Sequence, residues 1–423
     1  MKTVIMAGGK GTRIASLCAT LPKPMLPLAG VPVLEREIAV LRRQGFTDII
    51  LVIGHLGDAI RAHFGDGSAL GVHISYVEEQ TPLGTAGALA LLRETLSGDD
   101  FLLLCGDLLF DVDLGRFLAY HRARGGVATV LAHPNGHPHD STVIRTEEDG
   151  RVTALLPPAE DRGDVPNRVN AGLHLFSPRV LERFGEVKKT DLDRDVLRPL
   201  AAEGVLYAYD SPEYVKDMGT PARLAEAEAD LRSGRVARQS LALPQRAFFL
   251  DRDGTVNRYV GFLRRPEELE LCPGAAEAIR MLNQRGYPVI IVTNQPVLAR
   301  GEVTEEGLRR IHDRLETLLG REGAFVNGIL YCPHHPDRGF AGEIPHLKIE
   351  CDCRKPKPGL LLRAAERLHI DLAASWMIGD NDRDTAAGRA AGCHTAAIGA
   401  EPDAELHGND LLDCVRQILE NEV

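Results

Sequence analysis

The chain has 423 residues, 44% of them hydrophobic and 26% charged, with a formal net charge of −11. That length fits two or three domains with cores of their own, and the composition excludes the disordered and fibrous classes. The acidic balance argues against nonspecific nucleic-acid or membrane binding, and no apolar run approaches the ~18 residues of a membrane span.

In chain order, TVIMA (3–7) predicts a buried strand. It runs straight into a glycine loop without a small-residue cleavage site, so it is not read as a signal peptide. VLEREIAVLRRQG (33–45) predicts an amphipathic helix closed by Gly45, while DIILVI (48–53) and FLLLC (101–105) predict buried strands. RLAEAEADLR (223–232) predicts a helix, and the following SGRVARQSLALPQ has no clear period and ends in proline. A linker is therefore expected at 234–245, between domains 1–233 and 246–423. A second series of alternating elements then begins. Strands are expected at AFFLD (247–251), PVIIVTN (288–294), GILYC (328–332) and SWMIGD (375–380). Helices are expected at AAEAIRMLNQRG (275–286), TEEGLRRIHDRLETLLG (304–320) and LLLRAAERL (360–368). This alternation predicts α/β architecture in both halves, as two doubly wound domains.

In the N-terminal half, MAGGKGTRI (6–14) follows the first strand. It is neither a Walker loop nor a dinucleotide fingerprint, yet a glycine turn after a strand presents backbone N–H groups to phosphates, and Arg13 adds charge. Lys23 sits between prolines in LPKPMLPLAG (21–30). Gln80 and Gly84 lie in EEQTPLGTAGAL (78–89), Asp107 follows a strand in CGDLLFD (105–111), Asn170 and Gly172 form N-A-G, and Asp217 opens DMGTPARL (217–224). In combination these motifs resemble the sugar-1-phosphate nucleotidyltransferases, over about residues 1–232. The resemblance implies a Rossmann-like mixed sheet and attack of a sugar 1-phosphate on the α-phosphate of a nucleoside triphosphate. Gly8, Gly9, Gly11 and Arg13 would cradle the triphosphate, and Lys23 would stabilise charge near the α-phosphate. Gln80 and Gly84 would read the base, Asn170 and Gly172 would line the sugar pocket, and Asp107 and Asp217 would hold Mg²⁺. One departure is the stretch ALLPPAED (154–161), where the family usually carries Glu-Lys-Pro. His133, His137 and His139 lie in a Pro/Gly-rich loop and are read as solvated.

In the C-terminal half, Asp251 and Asp253 are two apart at a strand end, so an extended backbone aims both carboxylates one way. Two such acids repel unless a cation lies between them, and a hard divalent ion suits oxygen ligands. Thr293-Asn294, Lys355, and Asp380 with Asp384 also fall at or just past strand ends, where parallel sheets bind ligands. This set resembles the haloacid dehalogenase phosphatase superfamily, over about residues 248–400. It implies Asp251 as nucleophile, Asp253 as acid and base, and Thr293 and Lys355 on the phosphoryl group. Mg²⁺ would be held by Asp251, Asp380 and the backbone carbonyl of Asp253, with Asp384 orienting the loop or Lys355. Few residues separate the first two motifs, so no large cap is expected over the parallel sheet.

YCPHHP (331–336) and CDCRKPKPG (351–359) offer Cys332, His334, Cys351 and Cys353, a set suited to tetrahedral Zn²⁺, with His335 the rival to His334. Zinc there would pin a long loop and fix the backbone that carries Arg354 and Lys355. With so few cysteines otherwise, the expected compartment is the reducing cytoplasm. RDGTVN, VTNQ, ARG (299–301), YCPHHP and CDCRKPKPG together resemble the D-glycero-D-manno-heptose 1,7-bisphosphate 7-phosphatases, with the histidinol-phosphate phosphatases as runner-up. Arg300, Arg354 and Asn294 would then contact substrate. Pro296-Val297-Leu298 stands where a Ser-Gly-Ile-like turn is expected.

The two halves suggest one pathway: loss of the 7-phosphate, then nucleotidyl transfer to heptose 1-phosphate, with GTP favoured by resemblance to the heptose 1-phosphate guanylyltransferases. The expected partners are heptose phosphates and a nucleoside triphosphate, with no nucleic acid or membrane. The alternatives are a pair acting on another sugar, or a phosphatase with a nucleotide-sensing N-terminal domain.

Overall fold

A computed structural model of the protein describes residues 1–9, 11, 14, 21–159, 162–400 and 403–421. Arg13, one of the expected triphosphate ligands, lies outside the described residues. The chain divides into two units. The first comprises Met1–His133, Ile144–Leu156 and Asn170–Ser240; the second comprises Pro134–Val143, Pro157–Val169 and Leu241–Val423.

The first unit is built on a nine-stranded sheet. Lys2–Met6 is flanked by parallel neighbours Asp48–Ile53 and Phe101–Cys105, and His73–Glu78 extends the parallel edge. Val169–Phe176 runs antiparallel to Phe101–Cys105, so the sheet is mixed. The central strand runs 4–6, 49–53 and 101–104 are apolar because both faces are covered, whereas the edge strand His73–Glu78 is half exposed. Val4, Ile50, Val52 and Leu103 enter one core, while Ile5, Ile49, Leu51, Leu102 and Leu104 enter the other. The helix Val33–Arg43 ends two residues before Gly45, which adopts φ +84°.

The second unit carries a six-stranded sheet in the order Gly328–Cys332, Val289–Asn294, Phe248–Leu250, Trp376–Gly379, His394–Ile398, Leu406–Gly408. Every pairing in it is parallel. Phe248, Leu250, Val289 and Ile291 pack to one side, and Phe249, Ile290 and Val292 to the other. The expected α/β class, mixed in one half and parallel in the other, is what forms. Between Asp253 and the helix Ala275–Arg285 the one helical element is the three-residue turn Pro266–Glu268, so this segment builds no cap domain. The segment read as aperiodic after residue 232 contains one short helix, Arg235–Arg238. Within the second unit, Arg168 from the Pro157–Val169 segment pairs with Glu316 at 3.0 Å.

Candidate active sites

In the second unit the register sets Leu250 beside both Ile291 and Ile378, so the residues after these strands emerge together. Asp251 is buried, and Lys355 Nζ donates to its Oδ1 at 2.5 Å. The same ammonium pairs with Asp384 Oδ1 at 2.6 Å. Burial pushes the Asp251 carboxyl above its ordinary range, against the opposing pull of Lys355. Asp380 is likewise raised, by burial and by the charge of Asp251. Carboxylate oxygens of Asp251, Asp380 and Asp384 all lie within 4.8 Å of one another. Three acids sharing so little water, with one lysine between two of them, fit a divalent cation held by oxygen ligands. Gly254 adopts φ +94°, and a Cβ there would collide with the Asp380 carboxylate, so only glycine lets the chain turn at this point.

Asp253 faces a different environment. The buried guanidinium of Arg252 donates to both of its oxygens, at 2.9 and 2.8 Å. Asn257 Nδ2 and Gln295 Nε2 each add a bond at 3.0 Å. Burial favours its neutral form, but Arg252 and these donors outweigh it and hold the carboxyl below its usual range. Gln295 also donates to Thr293 Oγ1 at 2.9 Å, which links the acid to the hydroxyl. Arg252, Asn257 and Gln295 were not singled out in the sequence. All three lie inside the quoted motifs RDGTVN and VTNQ, which is the one local signal that could have found them.

Asn294 spends its amide on the Lys355 backbone, accepting from its N–H at 3.0 Å and donating to its C=O at 3.1 Å. Pro296 opens the helix Pro296–Ala299, where a missing N–H costs nothing. A cleft of about 530 Å³ joins these groups to Arg300, His335 and Arg354.

Cys332, His334, Cys351 and Cys353 converge, with separations of 3.2 to 3.8 Å among the pairs in contact. A tetrahedron with metal–sulfur arms of ~2.3 Å has edges close to these. His334 joins the cysteines, while His335 turns into the cleft. Arg354 donates to the His334 carbonyl at 3.2 Å, which ties the cluster to the cleft wall.

In the first unit, Met6 pairs with Cys105, so the glycine turn and Asp107 emerge from neighbouring strand ends. Gly8 and Gly9 follow the Lys2–Met6 strand, and the Gly11 carbonyl accepts from Ile14 N–H at 3.0 Å. Lys23 forms an ion pair with Asp107. Antiparallel pairing of Leu108–Asp111 with Tyr214–Asp217 places Asp217 opposite Leu108, one residue from Asp107. Asp217 accepts from Gly219 N–H and from Arg223, both at 2.8 Å. Asn170 caps its own turn, accepting from Gly172 N–H at 3.0 Å. Gly84 adopts φ +80° where a Cβ would lie 2.6 Å from the Thr190 carbonyl, and Gln80 is exposed. Glu37, also passed over in the sequence, is buried and accepts from Leu108 N–H at 2.6 Å. It sits on the apolar stripe of the Val33–Arg43 helix, the pattern that could have flagged it. His137, read as solvated, is exposed and bonds Asp140 at 2.9 Å.

A nucleotidyl transferase family model matches residues 2–234, and a haloacid dehalogenase-like hydrolase model matches residues 140–392. The chain belongs to both families. Each match spans more than half of the sequence, and the two overlap from residue 140 to residue 234. Mannose-1-phosphate guanylyltransferase of Mycobacterium tuberculosis is 36% identical over 233 residues, covering 55% of this chain and 64% of that protein. The chain thus spans less than two thirds of that relative. D-glycero-beta-D-manno-heptose-1,7-bisphosphate 7-phosphatase of Salmonella typhi is 41% identical over 152 residues, covering 36% of this chain and 79% of that protein. A solved D,D-heptose bisphosphate phosphatase of B. bronchiseptica is 34% identical, covers 42% of this chain and 99% of that one, and has a TM-score of 0.37. Among the described residues no helix is long and apolar enough to cross a membrane.

Proposed function

We propose that this bifunctional chain removes the 7-phosphate of D-glycero-D-manno-heptose 1,7-bisphosphate and then transfers a nucleotidyl group, from GTP, to the heptose 1-phosphate. One observation carries the reading: a single chain holds a relative of a 1,7-bisphosphate 7-phosphatase and a relative of a guanylyltransferase acting on a manno-sugar 1-phosphate. Removing the 7-phosphate leaves the 1-phosphate that a nucleotidyltransferase consumes, so the two reactions fit head to tail. Cytoplasmic sugar phosphates and nucleoside triphosphate are the partners this implies, with the functional boundary at 234–245.

In the phosphatase half, a carboxylate oxygen of Asp251 attacks phosphorus and the P–O bond to the sugar breaks, leaving an aspartyl-phosphate. Arg252 must release Asp253 when substrate enters, so that Asp253 can carry the proton it gives to the departing alkoxide and then take one from the water that cleaves the intermediate. Lys355 and Thr293 hold the phosphoryl oxygens. Asp251, Asp380 and the Asp253 carbonyl would hold Mg²⁺, whose chemistry there would be to neutralise phosphoryl charge. In the nucleotidyltransferase half, Gly8, Gly9, Gly11 and Arg13 cradle the triphosphate, and Lys23 stabilises charge at the α-phosphate. Gln80 and Gly84 read the base, and Asn170 and Gly172 border the sugar. Asp107 and Asp217 would hold a second Mg²⁺, each exchanging a bond to Lys23 or Arg223 for the ion.

Cys332, His334, Cys351 and Cys353 would hold structural Zn²⁺, whose part is to fix the loop. Metal analysis of the purified protein should find about one zinc per chain, as one four-ligand site requires. Cys353→Ser should lose it and lower phosphatase kcat/KM about a hundredfold, because a ~1 Å misplacement of Arg354 and Lys355 costs on that order. Full phosphatase activity in zinc-free protein would refute this role.

Phosphorus NMR of the protein with Mg²⁺, GTP and both anomers of the bisphosphate tests the whole reading. The 7-phosphate signal should vanish, followed by growth of a GDP-sugar diphosphate signal. No change with either anomer would sink the heptose assignment.

A further inference from the structure

Arg252 carries its charge inside the second unit, and among the described residues no larger side chain is fully buried. Its Nε and Nη2 donate to Asp253, and Nη2 also donates to Gln295 Oε1 at 3.1 Å. Among the described residues the one partner of Nη1 is His312, whose Nε2 accepts at 3.3 Å. His312 stands on the helix Glu305–Arg321. Its ring centroid lies 5.8 Å from that of Tyr331, on the strand Gly328–Cys332, and Tyr331 pairs with Thr293 in the parallel sheet. Loss of water and the charge of Arg252 push the imidazole down to about 3, so the ring is neutral and its Nε2 lone pair is free to accept.

This arrangement meets a difficulty set by the chemistry. When Asp253 turns to the substrate, Arg252 loses the carboxylate that answers its charge. A buried guanidinium stripped of its acceptors is costly, so it would follow the carboxylate or shift. Gln295 is a poor anchor by itself, because its Nε2 is bonded to Asp253 and moves with that bond. His312 has no bond to Asp253. It approaches from a separate element, and its ring is steadied against Tyr331.

We propose that His312 is a positioning residue for phosphoryl transfer, whose Nε2 anchors the Arg252 guanidinium when Asp253 disengages to serve as acid and base. The inference rests on the phosphatase reading and deepens it, because it names what lets Asp253 leave a buried cation and return to it. With the anchor in place, Arg252 keeps one position and Asp253 alternates between it and the substrate.

The test uses the full-length protein with Mg²⁺ and two simple esters, heptanol monophosphate and p-nitrophenyl phosphate. An alkoxide needs a proton to leave, whereas p-nitrophenolate leaves without one. His312→Leu should lower kcat/KM for the alkyl ester about ten- to a hundredfold, within the range a misplaced general acid costs. The loss on p-nitrophenyl phosphate should be severalfold smaller. His312→Gln, whose Oε1 can accept from Arg252, should recover most of the alkyl activity. Equal losses on the two esters, no loss on either, or no recovery in His312→Gln overturns the proposal. Nitrogen-15 NMR of wild-type protein labelled at histidine gives an arm that requires neither turnover nor a stable Leu variant. The His312 Nε2 signal, assigned by its disappearance in His312→Gln, should be that of an unprotonated ring nitrogen at neutral pH, and a protonated Nε2 overturns the anchor. If the differential loss is seen and the heptose bisphosphate is not cleaved, the anchor stands and the heptose reading falls.

Discussion

Asp251→Asn protein should release no phosphate from the heptose bisphosphate, with a fall of at least about 10⁴-fold, because the substitution removes the nucleophile itself. Asparagine is nearly the same size, and Lys355 keeps Asp384 at 2.6 Å, so the buried ammonium is not stranded. The fold should therefore survive, and a thermal melt checks that it does. Asp251 belongs to the second unit, whereas Lys23 and Asp107 belong to the first. Nucleotidyl transfer to supplied heptose 1-phosphate should accordingly stay within about a factor of two, as for independent sites. Phosphate release and pyrophosphate release assayed on one preparation decide the matter. If both activities fall together, the assignment of one reaction to each unit is wrong.

The second large effect is expected from Lys23→Ala. Lys23 stands on the stiff Pro22–Pro24 stretch beside Asp107, so its ammonium starts at the strand end where an ion on Asp107 would release it to the α-phosphate. A preorganised cation aimed at developing charge is worth about 10²–10³-fold. Pyrophosphate release from GTP and heptose 1-phosphate should drop by that amount, while phosphatase activity continues. A near wild-type rate in Lys23→Ala would remove Lys23 from the mechanism. Failure of wild type itself to release pyrophosphate from any nucleoside triphosphate would favour a sensing role for the first unit.

These two variants also separate what the absent Glu-Lys-Pro motif means. The strand Val152–Leu156 occupies the start of the corresponding stretch, and no lysine comes directly after it. If transfer proceeds and depends on Lys23, the sugar phosphate is held without that lysine.

The amino-acid sequence by itself determined the α/β class and the positions of most strands and helices. It did so because strands covered on both faces must be apolar along their buried run, as in IILVI (49–53) and VIIV (289–292), while the helices keep one polar face. It also located Asp251, Asp253, Thr293, Lys355 and Asp380, because parallel strands bring the residues at their carboxyl ends to one edge of the sheet. Tertiary structure alone decided the rest. Which of two adjacent histidines joins the cysteines depends on the turn of one loop, and His334, not His335, meets them. Arg252 forks onto Asp253 only because both are enclosed, and burial is not written in a local motif. Glu37 acquires its place under Asp107 from a helix 71 residues away from Leu108. Arg252 and His312 come from stretches 60 residues apart, so no spacing rule links them. The assignment of Pro157–Val169 to the second unit is of the same kind, set by contacts such as Arg168 with Glu316. Short-range patterns report the periodicity that burial imposes on each element, whereas contacts between distant segments exist only once the chain has closed on itself.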